Sequence, residues 1–180
     1  NKNKTDCGQG SGYLFATEVG DVLNVSGPYG QFHVMEKESK AEQAAEMVFI
    51  GGGAGMAPLR SHIFHQLSDL ASSRKISFWF GARNPLEIFY QNEFDALAKK
   101  HANFNWQVAL SDQLQESNWK GLTGTIDKVV ESEFIKQHQQ PKNCEYYICG
   151  PTAMNKAVIT MLKRHEVPDS MVKVDEFGVQ

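Results

Sequence analysis

The residue pattern predicts an α/β protein whose main part is a doubly wound, five-stranded parallel sheet, preceded by a shorter stretch of different character. Three observations carry this. From Met47 onward, short apolar runs of strand composition alternate with amphipathic segments of helical period. The first of these runs ends in a cluster of glycines just before a helix start. The residues before Met47 show neither feature and are punctuated instead by turn signals.

In chain order, Tyr13–Ala16, Val22–Ser26 and Phe32–Val34 read as short extended segments. They are broken at Gly20-Asp21 and at Gly27-Pro28-Tyr29-Gly30, so this stretch is expected to be hairpin-like β structure. It is too short to bury a core by itself. From Glu36 to Gln43 charge runs without apolar periodicity, the mark of a solvated linker. The expected division is therefore a front piece over 1–35, a linker over 36–45 and the main domain over 46–180.

The main domain opens with a strand at Met47–Ile50. A helix follows from about Ala57, with Leu59, Ile63, Phe64, Leu67 and Leu70 on one face. Strands follow at Ile76–Phe80, Asn105–Leu110, Tyr146–Cys149 and Val172–Phe177, and helices at Asn92–Lys100, Ile126–Gln137 and Ala153–His165. Parallel strands joined by right-handed helical crossovers place helices on both faces of the sheet. Ligands of such sheets lie beyond the carboxyl ends of the strands.

Composition narrows the function classes. The chain has 180 residues, 18 Lys+Arg against 21 Asp+Glu and a net charge of −3, so it lacks the basic face that tracks a phosphate backbone; nucleic acid is not an expected partner. No apolar run approaches the roughly 20 residues of a membrane span. Cys7, Cys144 and Cys149 form no CxxC, and no His/Cys pair has zinc-ligand spacing, so no disulfide framework or metal site is expected and a reducing compartment fits best. The chain begins Asn1-Lys2-Asn3-Lys4, without an initiator Met or a signal-like segment, and is expected to be a piece of a longer polypeptide.

The sharpest motif is Met47-Val48-Phe49-Ile50-Gly51-Gly52-Gly53-Ala54-Gly55-Met56-Ala57-Pro58, a buried strand running into glycines and then a helix. Glycines let a backbone approach a pyrophosphate, and free N–H groups at a helix start point toward it. Pro58 sacrifices no hydrogen bond so near the helix start. The spacing departs from the dinucleotide fingerprint GxGxxG, and the second strand ends Gly81-Ala82-Arg83 where that fingerprint wants an acidic residue. This ending argues against a methyltransferase-like nucleotide binder. Ser111-Asp112 opens a long connection to Thr123, and Cys149-Gly150-Pro151 ends a strand beside the helix that carries Met154. By itself Cys149 would be an ordinary small buried hydrophobe.

With these motifs in this order, the chain resembles the nicotinamide-binding domain of the ferredoxin–NADP reductase superfamily. Gly8-Gln9-Gly10-Ser11 is similar to that superfamily's GxxS flavin-pyrophosphate motif, and Val25 to Phe32 to the closing strand of its antiparallel FAD-binding β-barrel. Within the superfamily, Gly51 to Phe64, Cys144 to Pro151 and Val174 to Gly178 are most similar to the F-subunit family of bacterial sodium-translocating NADH:quinone reductases.

The resemblance implies an oxidoreductase whose NADH-binding domain presents NADH to FAD, with electrons passing on to a 2Fe–2S cluster and quinone. Gly52, Gly53, Gly55 and Met56 would line the cofactor's pyrophosphate and ribose, with Gly51, Pro58, Gly81, Ala82, Arg83, Ser111, Asp112, Gly150, Pro151 and Met154 around them. Cys149 would pack beside nicotinamide C4, Phe177 would cover the flavin, and Asp175 or Glu176 would be the acid near the hydride path. Gly8 and Ser11 would touch FAD.

The rest of the FAD domain, the iron–sulfur domain and a membrane anchor are implied to precede this chain, with other subunits of a membrane complex as partners. That would place the protein on the cytoplasmic face of the bacterial inner membrane. In NADP-using relatives an Arg follows the Ser matched by Ser111; here Asp112 stands there, which implies NADH over NADPH. The alternatives are the reductase component of a soluble oxygenase, or a nucleotide-binding fragment inactive without the rest of its FAD domain.

Overall fold

The computed structural model describes residues 9–27, 29–35, 46–112 and 119–176. The chain divides into two compact units, Asn1–Gln31 and Phe32–Gln180.

In the first unit a helix, α1 (Gln9–Ala16), replaces the extended segment expected over Tyr13–Ala16. Its end is tied by Thr17, whose hydroxyl and N–H both donate to the Leu14 carbonyl. A turn follows in which the Asp21 carboxylate accepts from the Glu18 N–H at 2.8 Å, with Gly20 at φ +109°. No described residue of Val22–Ser26 or Phe32–Val34 is in a strand, so the expected hairpin is not found there. Extended segments need a pairing edge to become strands. Tyr13, Leu14, Phe15, Val19, Val22 and Val25 are all exposed.

The second unit contains one sheet of six parallel strands in the order β4-β3-β2-β1-β5-β6. These are β1 (Met47–Gly52), β2 (Ile76–Ala82), β3 (Phe104–Leu110), β4 (Leu122–Thr123), β5 (Glu145–Gly150) and β6 (Val172–Glu176). Five match the expected strands; the sixth, β4, is a two-residue strand inside the connection for which the sequence predicts no structure. Every residue of β1 and β5 is buried, because helices cover both faces. Alternate side chains feed two cores: Met47, Phe49, Phe78, Phe80, Tyr147 and Cys149 on one side, and Val48, Ile50, Trp79, Tyr146 and Ile148 on the other.

The first core is closed by α2 (Met56–Phe64) through Met56, Leu59 and Ile63, and by α3 (Gln91–Lys100) through Phe94 and Leu97. The second is closed by α4 (Ile126–Val130) through Ile126, Val129 and Val130, and by α5 (Thr152–Arg164) through Val158, Met161 and Leu162. Burying such aliphatic and aromatic side chains contributes about 1.5–3 kcal/mol each, which outweighs the weak intrinsic stability of helices this short.

Helical period places Leu70 on the buried face of α2, but the residue is exposed. The cause is a wide π-type turn over His65–Asp69, which slips the helical register so that Gln66 and Leu67 take the inward positions. A similar turn over Glu131–Ile135 extends α4 and buries Phe134 and Ile135. Among the described residues no helix is long and apolar enough to cross a membrane.

The segment Phe32–Met35 packs on the first core. The Met35 N–H donates to the Tyr147 hydroxyl at 3.0 Å, and that hydroxyl donates to the buried Glu145 carboxylate at 2.7 Å. Glu145 in turn pairs with Arg74 at 2.6 Å. The Phe32 ring stands edge-on to Tyr147 and to His62, whose centroid lies 5.3 Å away.

Candidate functional site at the carboxyl ends of the strands

Strand order runs outward from β1 in both directions, so β1 is the point where the sheet changes winding, and a crevice opens at its carboxyl end. There β1 passes through a tight turn over Gly53–Gly55 into α2. Gly53 has φ +54° and nothing within 4 Å of the place a Cβ would occupy. The other glycines of the cluster are held by packing. A Cβ on Gly55 would lie 1.9 Å from the Cys149 carbonyl oxygen, and one on Gly51 would lie 2.6 Å from a Leu59 methyl. A Cβ on Gly52 would lie 2.7 Å from the Met154 Sδ, and one on Gly150 2.4 Å from its Cε.

A cavity of about 590 Å³ occupies the β1–β2–β3 side of this crevice, a volume suited to a small-molecule ligand. Its wall includes Gly52, Gly53, Gly81, Ala82, Arg83, Ser111, Pro151 and Met154, all singled out by sequence. Gly51, Gly55, Met56, Pro58, Asp112, Cys149 and Gly150 are not in this wall. Gly51, Gly55 and Met56 are buried behind it, in the contact between α2 and the sheet. Asp112 is exposed one residue beyond Ser111; its N–H donates to the Arg83 carbonyl at 2.9 Å, and its carboxylate accepts from the Ser111 hydroxyl at 3.3 Å. Gly8 and Phe177 lie outside the described residues, and Ser11 is exposed on α1.

Sequence reasoning missed Glu87, Gly124, Thr125, Ile126 and Asp127, which complete the wall with Ala153 and Ala157. Two signals pointed to them: the Asn84-Pro85 turn start, and an acidic residue in the first turn of a helix that follows a glycine. Arg83 is bound by Glu87, its Nη2 2.6 Å and its Nε 2.9 Å from Oε1. This pairing raises the guanidinium's affinity for its proton and lowers that of the Glu87 carboxylate.

Cys149 lies at the end of β5 on the opposite sheet face from the cavity wall, fully buried. Burial, with the neighbouring Asp175 carboxylate, pushes its thiol pKa up to about 12, so it is a protonated thiol at neutral pH. Asp175 pairs with Cys149 in the β5–β6 register and is half-buried, while Glu176, opposite Gly150, is exposed. The Asn155 side chain donates to the Asp175 carbonyl at 3.2 Å and fixes this end of β6.

At the other end of the sheet, Glu46, His138 and Cys144 come together, although their spacing gave no sign of it. Their ligand atoms lie within 4.8 Å of one another, with the Cys144 sulfur 3.8 and 3.9 Å from the two His138 ring nitrogens. Lys75 pairs with Glu46 at 3.0 Å beside the start of β1.

A winding change at β1, a glycine turn leading into a helix, and a cavity beneath three strand ends define a dinucleotide-binding α/β domain. The chain belongs to the oxidoreductase NAD-binding domain family, whose family model matches residues 49–160. It is 53% identical over 171 residues to the F subunit of the Na(+)-translocating NADH-quinone reductase of Actinobacillus pleuropneumoniae, and 52% identical over 171 residues to that of Neisseria meningitidis. These alignments cover 95% of this chain and 40% and 41% of those proteins, so the chain spans about two-fifths of their length. Among solved structures, an Amycolatopsis cytochrome P450 reductase is 26% identical with a TM-score of 0.70, over 84% of this chain and 42% of that one. The cytochrome b5 reductase domain of Ulva prolifera nitrate reductase shares the fold, with 24% identity and a TM-score of 0.75 over 93% of this chain and 64% of that one.

Proposed function

We propose that this chain is the NADH-binding module of the F subunit of a sodium-translocating NADH:quinone reductase, presenting NADH for hydride transfer to FAD. The observation that carries this is identity of 53% to such proteins across 95% of the chain. The glycine turn and the cavity at the end of β1 are what a dinucleotide requires.

On this reading the pyrophosphate lies over Gly52 and Gly53, at the amino end of α2. The adenosine half enters the cavity between Gly81–Arg83 and Ser111, beneath Pro151 and Met154. The nicotinamide crosses the β1 turn to the β5–β6 side, where Cys149 supplies a close, uncharged wall. Asp175, half-buried and opposite Cys149, fits the acid near the hydride path better than the exposed Glu176. The chain's work is binding and orientation. A flavin held mainly by residues outside this chain, with Gly8, Ser11 and Phe177 contributing, supplies the redox chemistry. Residues 1–35 are the end of that flavin-binding domain, 36–45 the connecting segment and 46–180 the NADH-binding domain. A 2Fe–2S domain, a membrane anchor at the cytoplasmic face of the inner membrane and other subunits of the complex belong to the whole protein.

The isolated chain is expected to bind NADH weakly, to hold no flavin tightly and to be inactive as an NADH dehydrogenase. Calorimetry with NADH and absorbance after gel filtration test this. A chain that fails to bind NADH overturns the assignment, and one that emerges stoichiometrically yellow overturns the expectation that it holds no flavin tightly. In the flavin-containing full-length protein, Cys149→Ala should slow single-turnover flavin reduction by NADH; an unchanged rate removes Cys149 from the nicotinamide site.

A further inference from the structure

The cavity wall carries an electrostatic asymmetry that the glycine turn does not explain. Arg83 is the only cation among the described wall residues, and Glu87 and Asp127 are wall carboxylates. The formal charge of the described wall is therefore negative although it contains an arginine. Asp112, just beyond the wall, adds a further carboxylate beside Arg83.

The arginine is also engaged. Glu87 reaches back four residues and uses both carboxylate oxygens: Oε1 meets Nη2 at 2.6 Å and Nε at 2.9 Å, and Oε2 meets Nε at 3.2 Å and the Arg83 backbone N–H at 3.3 Å. A short turn over Pro85–Glu87 makes this reach possible. Asn84 caps it, its side chain accepting from the Leu86 N–H at 3.0 Å, and Pro85 fixes the backbone angle at its first position. One of the two guanidinium edges that could grip a phosphate bidentately, the Nε–Nη2 edge, is filled by a carboxylate of the same chain.

We propose that Glu87 is a coenzyme-selecting residue: by occupying one edge of Arg83 in the cavity wall it denies an adenosine 2′-phosphate that grip and leaves a carboxylate to repel it, so NADH is taken and NADPH refused. The proposal rests on the assignment of this cavity to the adenosine half of the dinucleotide and deepens it. A ribose with a free 2′-hydroxyl loses nothing by this arrangement, because it needs acceptors and brings no charge. A 2′-phosphate brings close to two negative charges and meets Arg83 either on its remaining edge or by displacing the Glu87 carboxylate from the pair. On both routes the carboxylate stays beside the phosphate.

The test is isothermal calorimetry on the chain with NAD+ and NADP+, at low and moderate salt, for wild type, Glu87→Gln, Asp127→Asn and Glu87→Gln combined with Arg83→Gln. Glutamine keeps the shape of the side chain and removes its charge. The ratio of the NADP+ to the NAD+ dissociation constant should fall at least tenfold in Glu87→Gln, a change of about 1.4 kcal/mol in discrimination. The gain should shrink as salt rises, because both groups are partly solvated. It should vanish in the double variant, which lacks the released cation.

NAD+ binding to wild type with an unchanged ratio in Glu87→Gln overturns the inference and leaves the cavity assignment standing. An equal shift in Asp127→Asn, or a gain that survives loss of Arg83, assigns selection to diffuse wall charge and overturns it too. Binding of neither dinucleotide to wild type refutes the cavity assignment and the inference together.

Discussion

Replacing Gly55 by Ala and, separately, Gly53 by Ala should separate two roles that sit two residues apart in one glycine cluster. At Gly55 a methyl carbon would be 1.9 Å from the Cys149 carbonyl oxygen and 2.3 Å from its carbon, backbone atoms in the middle of a parallel sheet. Relief requires the β1–α2 turn to retreat from β5 by about 1.5 Å, and gaps of 0.5–1 Å already forfeit a quarter to a half of the dispersion energy of the contacts they open. Leu59 and Ile63, both fully buried, sit on the helix that must move. The cost should be about 4 kcal/mol or more, in the range reserved for overpacked cores, against a total stability of roughly 5–15 kcal/mol.

At Gly53 the methyl meets nothing within 4 Å, and only the left-handed φ of +54° is penalised, at about 1–2 kcal/mol. Urea unfolding followed by circular dichroism should therefore show Gly55→Ala near or past the threshold of folding and Gly53→Ala only mildly weakened. NAD+ binding should reverse the order of interest: Gly53→Ala, still folded, should lose at least tenfold in affinity because its methyl enters the space given to pyrophosphate. A Gly55→Ala protein within 1 kcal/mol of wild type, or a Gly53→Ala protein as unstable as Gly55→Ala, would refute the division.

Cys149 should resist alkylation in the folded chain. With its pKa pushed from 9.0 to about 12 by burial first and the Asp175 carboxylate second, its thiolate fraction at pH 8 falls roughly a thousandfold. Mass-spectrometric mapping after brief maleimide treatment should find this position unmodified until urea is added, and rapid native labelling would contradict the burial. His62 should make the second unit acid-sensitive: burial, its largest influence, lowers its pKa below the usual 6.5. The unfolded chain then takes up a proton before the folded one does, so stability is lost as pH falls from about 6.5 toward the folded value. Urea midpoints between pH 7.5 and 5.5 should decline, and less so in His62→Gln; parallel declines would assign the effect elsewhere.

Much of the second unit was legible because its strands are short apolar runs buried on both faces, a pattern that needs no knowledge of partners. Met47–Ile50, Ile76–Phe80 and Tyr146–Cys149 all fall inside the observed strands. The readings that failed depend on context. Tyr13 to Ala16 have extended-chain composition, yet they close a helix whose large side chains are exposed. Leu70 obeyed helical period, but a π-type turn consumed the phase. Strand β4 is too short to carry a pattern and exists because Leu122 and Thr123 register with Ala109 and Leu110.

At the site, the glycine cluster was visible, while its division into packing glycines and an open one was not, because Cys149 and Met154 arrive from a distant part of the chain. Glu87 and Asp127 were missed for the same reason: they join the wall only once β2, β3 and α4 are side by side.

The clasp on Met35 has a consequence for chain connectivity. Met35 is tied to Tyr147 on β5, and Glu46 enters β1 directly, its carbonyl accepting the Glu145 N–H at 2.9 Å on the same strand. Two residues of one strand, Tyr147 and Glu145, thus hold Met35 and Glu46 in a single body, so a change that displaces the start of β5 is felt at both.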